Sequence, residues 1–323
     1  MSFLFLRAFS TEFTFGSQQN IIKLILSKDH SFYPTKVIMS YSICSQSSSE
    51  YEPEYEPESI IISENNINLK FEVLTVVPPP LEYMSSLHSS QQEISGRQVW
   101  CGSLLLTEFL LDTFFDCDSN VKTISNHSFL HEKRVLELGS GTGIVGMSVA
   151  TCFSTNCVAL TDGDEEAVDL LIQNLQNKSN LCDGTNINSK GLSRVKGTNL
   201  LWGSDADVEE KFCNWCRSEW PSTWTQDESI AFDILLAGDV LYKSQLPTLF
   251  FSTVKKYMAK DGVLYLCHVP RADVDQKVVK DAVNDANLVY EEMDLTNLIK
   301  KLPDSYPHHD IERASIYKIT FDV

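Results

Sequence analysis

The sequence predicts an α/β fold in which a mostly parallel sheet is covered by helices on both faces. From residue 133 onward, short apolar segments alternate with longer amphipathic ones, which is the pattern of repeated strand–helix units. Residues 234–237 (Ile-Leu-Leu-Ala) form a continuous apolar run, as expected of a strand that is buried on both faces. Residues 137–143 (Glu-Leu-Gly-Ser-Gly-Thr-Gly) place a glycine-rich turn between an apolar strand and a helix. Such a turn at the carboxyl end of a parallel strand predicts a ligand cleft.

The individual elements follow from hydrophobic periodicity and from the turn residues between the segments. Strands are predicted at residues 134–138, 157–161, 194–199, 232–238, 262–268, 289–293 and 315–321. Helices are predicted at residues 103–116, 143–152, 164–177, 245–259 and 273–287, and Ser103 is the predicted N-cap of the first. An antiparallel last strand would complete a sheet of seven strands.

Residues 1–58 are predicted to be a disordered or targeting extension. Residues 1–36 hold four basic and two acidic side chains, a balance typical of organelle transit peptides. Residues 51–58 repeat Tyr-Glu-Pro-Glu, which favours disorder. The alternative is a poorly ordered leader, because Met39 could also begin the chain. We therefore expect a cytoplasmic or nuclear protein, or a mitochondrial or plastid one if residues 1–40 act as a transit peptide.

Residues 59–94 are predicted to contain a β-hairpin that precedes the main domain, residues 95–323. Two runs of alternating apolar and polar residues flank Asn65 and Asn66, which form the predicted turn. The prolines at residues 78–80 end the second run.

Composition excludes several classes of function. The net charge of −18 opposes broad nucleic-acid binding, which requires many basic residues, and favours either a basic protein partner or simply solubility. No apolar run approaches the ~20 residues of a membrane span. The nine cysteines are scattered, as in a reducing compartment. Cys213 and Cys216 lack a second nearby pair of ligands, as do His308 and His309, so no metal site is predicted. We expect a monomer.

The glycine-rich turn predicts a site for a nucleoside cofactor. Gly139 and Gly141 allow a ligand to approach the backbone closely, and Asp162 ends the next strand, where a carboxylate can accept hydrogen bonds from both ribose hydroxyls. The glycine spacing differs from the dinucleotide pattern G-x-G-x-x-G, and Glu137 would repel a pyrophosphate but could help to position a cationic ligand. A tight turn that binds no ligand is the alternative.

A second group of candidate residues follows the central strand. Asp239 and Tyr242 lie directly beyond it, at the edge where open α/β sheets bind ligands. Trp100 precedes the first helix and Trp202 follows the third strand. The alternative is that the two tryptophans belong to the core and that Asp239 and Tyr242 are ordinary loop residues.

These motifs together resemble family 16 of the seven-strand methyltransferases, whose hallmark is D-x-x-Y, here residues 239–242 (Asp-Val-Leu-Tyr). The resemblance covers residues 95–321. It implies a Rossmann-like seven-strand methyltransferase sheet, S-adenosyl-L-methionine as cofactor, and transfer of a methyl group to a lysine amine of a basic protein. By the same resemblance Asp239 and Tyr242 are catalytic and line the lysine channel. The predicted cofactor-binding residues are Trp100, Glu137, Gly139, Ser140, Gly141, Asp162, Trp202 and Gly238.

Substrate choice is open at this stage. Residues 99–106 and 222–228 look similar to the family branch that acts on the nucleic-acid-binding protein Kin17. Gly238, where many members have alanine, and an insertion at residues 204–231 depart from the family pattern. The alternatives are a methyltransferase acting on a small molecule or nucleic acid, and a binding protein that keeps the fold without catalysis.

Overall fold

A computed structural model describes residues 10–14, 21–25, 38–40, 54–64, 67–77, 95–115, 129–177, 191–303 and 306–322. The chain divides into two compact units, Met1–Glu52 and Pro53–Val323. The first contains an antiparallel sheet of β1 (Ser10–Thr14), β2 (Ile21–Ile25) and β3 (Ile38–Ser40), in that order. These three strands lie within residues 1–58, which were predicted to be a disordered or targeting extension. The isoleucines of β2 favour an extended chain. The rest of residues 1–53 lies outside the described residues, and the transit peptide stays a prediction.

The larger unit contains a hairpin, a large sheet and helices that alternate with its strands. The hairpin strands are β4 (Tyr55–Glu64) and β5 (Ile67–Val76). The sheet strands are β6 (Arg134–Leu138), β7 (Cys157–Asp162), β8 (Val195–Asn199), β9 (Phe232–Gly238), β10 (Met258–His268), β11 (Leu288–Glu292) and β12 (Ser315–Phe321). The helices are α1 (Cys101–Phe114), α2 (Ile144–Cys152), α3 (Glu165–Gln176), α4 (Ala206–Glu219), α5 (Leu246–Tyr257), α6 (Gln276–Asp285), α7 (Thr296–Ile299) and α8 (His308–Ile311).

The large sheet has seven strands in the order β11-β12-β10-β9-β6-β7-β8. The five strands from β10 to β8 are parallel to their neighbours, whereas β12 runs antiparallel to both β10 and β11. The predicted Rossmann-like seven-strand methyltransferase sheet, with its antiparallel last strand, is confirmed. Since parallel strands begin at one edge and end at the other, the loops after β6, β7, β9 and β10 share an edge.

Each face of the sheet is covered by its own set of helices. Alternate strand residues point to opposite faces, so Ile234 and Leu236 pack with α1 and α2, while Leu235 and Ala237 pack with α4, α5 and α6. All four side chains are buried. The continuous apolar run in β9 is therefore explained by burial on both faces of a central strand.

The hairpin packs on α1 and α3 and is joined to them by side chains. Asn174 of α3 accepts a hydrogen bond from the Leu74 amide at 2.7 Å through Oδ1. Its Nδ2 donates to the Leu74 carbonyl at 3.3 Å and to the Thr142 carbonyl at 3.1 Å. A single buried amide thus connects β5 to the glycine-rich turn. The predicted turn residues Asn65 and Asn66 lie outside the described residues.

Two predicted boundaries are wrong. β4 begins at Tyr55, within the segment predicted to be disordered, because all ten of its residues pair with β5. Trp100, and not Ser103, is the N-cap of α1, and the Ser103 hydroxyl instead donates to the Gly238 carbonyl at 3.3 Å. The insertion at residues 204–231 contains α4, whose N-cap is Asp205 and whose aromatic residues extend the core.

Candidate active site

A cavity of about 360 Å³ opens at the edge of the sheet where β6, β7, β9 and β10 end. This is within the usual size range of small-ligand sites. Nine of the ten predicted site residues line it: Trp100, Gly139, Ser140, Gly141, Asp162, Trp202, Gly238, Asp239 and Tyr242. The sheet brings these residues together from five separate parts of the sequence. The tenth, Glu137, lies elsewhere.

The glycine-rich turn after β6 takes a backbone conformation that other residues rarely adopt. Gly139 and Gly141 have φ values of 70° and 51°. A Cβ on Gly141 would lie 2.7 Å from the Gly96 carbonyl oxygen, and one on Gly139 would lie 2.7 Å from Val240 Cγ1. Only glycine fits at both positions, so the turn brings bare backbone to the wall of the cavity.

Asp162 ends β7 and holds this turn in place. Its Oδ2 accepts a hydrogen bond from the Gly141 amide at 3.0 Å, and its Oδ1 accepts one from the Asp164 amide at 3.1 Å. Burial raises the pKa of this carboxyl, while the amides of Asp164 and Gly141 act in the opposite direction. Each carboxylate oxygen has a second lone pair, so Asp162 keeps the capacity to accept hydrogen bonds from two ligand hydroxyls.

Glu137 does not line the cavity, so its predicted contact with the cofactor stays a prediction. Because side chains alternate along β6, Glu137 points to the α2 face and is only 1% exposed. Its Oε2 accepts a hydrogen bond from the Gly146 amide at 2.8 Å. Burial raises the pKa of Glu137 to about 8, and that hydrogen bond partly offsets the shift. Glu137 therefore fixes the first turn of α2 beneath the glycine-rich turn.

The first turn of α1 packs directly on the end of β9. A Cβ on Gly102 would lie 2.6 Å from the Asp239 Cβ, and one on Gly238 would lie 2.8 Å from the Ser103 Cα. The two backbones approach this closely because neither glycine carries a side chain. This contact sets the position of Trp100, just before α1, relative to Asp239.

Asp239 is the most constrained acidic residue of the cavity. It has a φ of 60°, a left-handed conformation that aspartate tolerates better than most residues. Its side chain is 2% exposed, and its Oδ2 lies 2.5 Å from Nη2 of Arg271. Burial raises the pKa of Asp239 to about 6, although the Arg271 charge and the Val269 amide both lower it.

The aromatic candidates also contact the cavity. Trp100 is 37% exposed and donates its indole N–H to the Ser95 carbonyl at 2.6 Å. The Ser95 hydroxyl donates to the Tyr242 hydroxyl at 3.5 Å. Trp202 packs edge-on against Phe250, with ring centres 5.0 Å apart. Trp202 thus packs against the core and also forms part of the cavity wall, and its contact with the cofactor stays a prediction.

Arg271 was missed in the sequence. It lines the cavity, forms the ion pair with Asp239, and lies with its guanidinium carbon 5.7 Å from the ring centre of Trp100. The sequence shows only that residues 269–271 (Val-Pro-Arg) directly follow the strand predicted at residues 262–268.

The cavity fits a nucleoside cofactor in two respects. The glycine-rich turn leaves room that a Cβ would fill, and Asp162 stands at the end of the next strand with acceptor capacity to spare. Asp239 lies two strands away from Asp162, which is about 10 Å at the usual spacing of strands. The cavity therefore has a nucleoside end and, separated from it, an acidic end.

Comparison with known proteins agrees with this arrangement. A family model described as lysine methyltransferase matches residues 84–285, which is more than half of the chain. The chain belongs to this family. Membership of this family confirms the cofactor predicted from the sequence, S-adenosyl-L-methionine.

Three relatives show the extent of the similarity. The UPF0665 family protein C23C4.06c of Schizosaccharomyces pombe is 30% identical over 170 residues, covering 52% of this chain and 43% of that protein. The protein-lysine N-methyltransferase EFM2 of Saccharomyces cerevisiae is 27% identical over 173 residues, covering 53% and 36%. Methyltransferase-like protein 22 of Homo sapiens is 29% identical over 168 residues, covering 50% and 34%. The chain thus spans less than half the length of these relatives.

Among solved structures, the TehB-like SAM-dependent methyltransferase of Corynebacterium glutamicum is similar, with a TM-score of 0.39 and 12% identity. The match covers 75% of this chain and 95% of that one. The fold itself is established by the strand order.

The described residues contain no group of three or more His, Cys, Asp or Glu side chains placed to hold a metal ion. Cys213 and Cys216 lie on α4, where Cys216 is buried and burial raises the pKa of both thiols. Within the same described part of the chain, no helix has the length and apolar character needed to cross a membrane.

Proposed function

We propose that this methyltransferase transfers the methyl group of S-adenosyl-L-methionine to a lysine side-chain amine of a protein substrate. The observation that carries the proposal is the acidic and aromatic end of the cavity, where Asp239, Tyr242 and Trp100 meet. The predicted D-x-x-Y motif supplies two of these three residues. Relatives named as protein-lysine N-methyltransferases support the same substrate class.

The nucleoside end of the cavity would hold the cofactor. Asp162 would accept hydrogen bonds from the ribose hydroxyls, and the backbone of Gly139 and Gly141 would pass close to the ligand. When bound, the cofactor supplies a methyl group that is already activated by a sulfonium. The residues of this chain therefore need only to bind, align and exclude water.

The acidic end would receive the acceptor lysine. A free lysine ammonium has a pKa of ~10.4 and must lose a proton before nitrogen can attack. Asp239 would attract the ammonium into the cavity, and the rings of Trp100 and Tyr242 would remove water from around it. Desolvation disfavours the charged form of an amine, so this apolar lining would lower the pKa of the bound lysine.

We also propose that the protein substrate is basic. The net charge of −18 favours encounter with a positively charged partner and disfavours nucleic acid. The branch of the family and the cellular compartment remain predictions.

Incubation with S-adenosyl-L-methionine carrying a tritiated methyl group and a dialysed cell extract tests the proposal. We expect label in a protein band that becomes methyl-lysine on acid hydrolysis, and strongly reduced label with Asp239→Asn. Asp281→Asn, at a surface ion pair with Lys277, serves as the matched control and should label normally. Label only in small molecules or nucleic acid would show that the acceptor is a different one.

A further inference from the structure

Arg271 occupies a position that the proposed lysine acceptor would have to share. Its Nη2 is 2.5 Å from Asp239 Oδ2, and both residues line the cavity. The Asp239 side chain is 2% exposed and that of Arg271 is 27% exposed, so the guanidinium is the more accessible partner of the pair. The acidic end of the cavity is thus an ion pair, and not an isolated carboxylate.

Arg271 is held firmly in this position. Its guanidinium carbon is 5.7 Å from the ring centre of Trp100, within the range of a cation–π contact. Its backbone amide donates to the Val274 carbonyl at 2.9 Å. The first turn of α1 and the loop after β10 therefore hold the guanidinium between two residues of the predicted site.

The proposal deepens the proposed function and rests on it. We propose that Arg271 is a positioning residue that balances the charge of Asp239, so that the pair binds the acceptor amine without holding it as an ammonium. A carboxylate keeps up to about four acceptor positions, so Asp239 can bind the amine while it remains paired with Arg271.

The chemistry of transfer explains why such a balance matters. The amine nitrogen forms a bond to the methyl carbon as the carbon–sulfur bond breaks, and the bonding pair stays on sulfur. Nitrogen must supply a free electron pair, so the ammonium first gives one proton to solvent, and after transfer the methylated nitrogen carries the positive charge that the sulfonium has lost. A lone carboxylate would oppose the first proton loss by raising the pKa of the lysine, whereas a neighbouring guanidinium favours it.

The other titratable groups around the pair do not supply the positive charge that balances the Asp239 carboxylate. Asp310 of α8 raises the pKa of Asp239 and thus acts against its ionisation. Burial raises the pKa of Cys101 to about 12 and also raises that of Cys267, so both thiols are neutral at pH 7. Burial lowers the pKa of His268, near Arg271, to about 4, so this ring is neutral too. Arg271 is therefore the cation that compensates Asp239 among the groups that act on its carboxyl.

The test compares Arg271→Gln with Arg271→Lys and with a matched control, Arg134→Gln. Arg134 forms the same kind of ion pair with Asp233, at 2.8 Å, but at the opposite end of β9, away from the cavity. Label transfer from tritiated cofactor to the acceptor band of the extract is followed in single turnovers as a function of pH. Titration of the Asp239 carboxyl is followed by carbon-13 NMR, which requires no acceptor.

In Arg271→Gln we expect the pH of half-maximal rate to rise by about one unit or more, together with an upward shift of the Asp239 titration. Arg271→Lys keeps a cation at this position, so both the pH of half-maximal rate and the Asp239 titration should stay close to their wild-type values. Arg134→Gln should shift neither quantity. A rate that falls equally at every pH with an unchanged Asp239 titration would overturn the inference and leave the proposed function standing. If wild-type protein labels no protein at all, the proposed function fails, and the NMR titration still decides whether Arg271 balances Asp239. Should Arg271→Gln not fold, Arg271→Lys must show smaller shifts in the same direction.

Discussion

Two carboxyl groups on adjacent strands, Asp162 and Glu137, show how environment determines the role of a residue. Asp162 ends β7 and faces the cavity, where it accepts two backbone amides and remains open to a ligand. Glu137 lies one residue before the end of β6, on the α2 face, and accepts the Gly146 amide in the core. Asp162 is therefore suited to binding a ligand, and Glu137 is suited to stabilising the turn and helix that form the ligand site.

For Asp162→Ala we expect weaker binding of S-adenosylhomocysteine with the fold retained. Loss of charge-assisted hydrogen bonds to the ribose should cost about 1.5–3 kcal/mol, or roughly a tenfold to hundredfold rise in Kd. Calorimetric titration measures this directly. Asp205→Ala removes another aspartate that accepts a backbone amide, at the start of α4, and should leave the affinity unchanged. Equal affinity in Asp162→Ala would remove this residue from the ribose site.

For Glu137 we expect a stability that depends on pH. Its native pKa is about 8, against an unfolded value of 4.5, so the native state keeps a proton that the unfolded chain has released. This contribution is present below about pH 4.5, weakens as pH rises, and is lost above about pH 8, with a slope of up to about 1.4 kcal/mol per pH unit. Urea unfolding of wild-type protein and Glu137→Gln across pH 5–8 should show the difference, since glutamine still accepts the Gly146 amide. Parallel pH profiles would contradict the buried-acid assignment.

At the residue scale, most of the site could be predicted because its residues directly follow strands in recognisable motifs. Arg271 could not be assigned a role, because its function depends on β10 lying next to β9, and sequence order alone does not show which strands are neighbours. The direction of Glu137 was predictable in principle, from the alternation of β6, but the acid of the motif suggested a ligand contact instead.

At the element scale, the position of α1 depends on two glycines, which let its backbone contact the end of β9 directly. Its first turn meets the end of β9 through Gly102 and Gly238, which puts Trp100 beside Asp239. Ser103 resembled an N-cap in sequence, but this backbone contact starts the helix earlier and leaves its hydroxyl to bond the Gly238 carbonyl. The contact lies between segments far apart in sequence, so local signals could not reveal it.

We expect Gly102→Ala to destabilise the protein by about 1–3 kcal/mol and to reduce methyl transfer, since the new Cβ would lie 2.6 Å from the Asp239 Cβ. Alanine is otherwise the better helix former, so a loss must come from this contact. Thermal unfolding and the tritium assay measure the two effects. Gly163→Ala is the control, because its Cβ would meet Leu201 at an ordinary 3.4 Å and stability should change little. A stabilised Gly102→Ala would show that α1 can move away freely.

At the scale of the whole molecule, the boundary of the folded methyltransferase lies earlier than the composition indicated. Tyr55 stands in β4, and its hydroxyl accepts a hydrogen bond at 3.0 Å from Arg97, which is fully buried beside the cavity segment. The acidic proline repeat suggested a linker, but pairing with β5 stabilises an extended strand there. Pairing with a distant partner is not visible in local composition.

We expect a protein that begins at Pro53 to bind S-adenosylhomocysteine as tightly as the full chain, since Pro53–Val323 forms a compact unit of its own. A protein that begins at Ser59 should have a lower Tm, because it loses the first part of β4 and one hydrogen-bond partner of Arg97. Tyr55→Phe in the full chain isolates the hydrogen bond, which we expect to contribute about 0.5–1.5 kcal/mol, because Tyr55 is 43% exposed and Arg97 keeps its ion pair with Glu166. Identical melting of all three proteins would show that the hairpin does not support the site.

The strand order has a consequence for how this protein could acquire new substrates. After β6 the chain turns to α2 on one face, and after β9 it turns to α5 on the other, so the two connections diverge where the strands are neighbours. The crevice between the two connections forms because the chain leaves the strands in opposite directions, and the core beneath it stays fully packed. Residues at its rim can therefore be exchanged with little effect on folding, while the glycine-rich turn and Asp162 stay fixed. A scaffold of this kind can keep the same cofactor site while substitutions at the rim change which acceptor molecule it methylates.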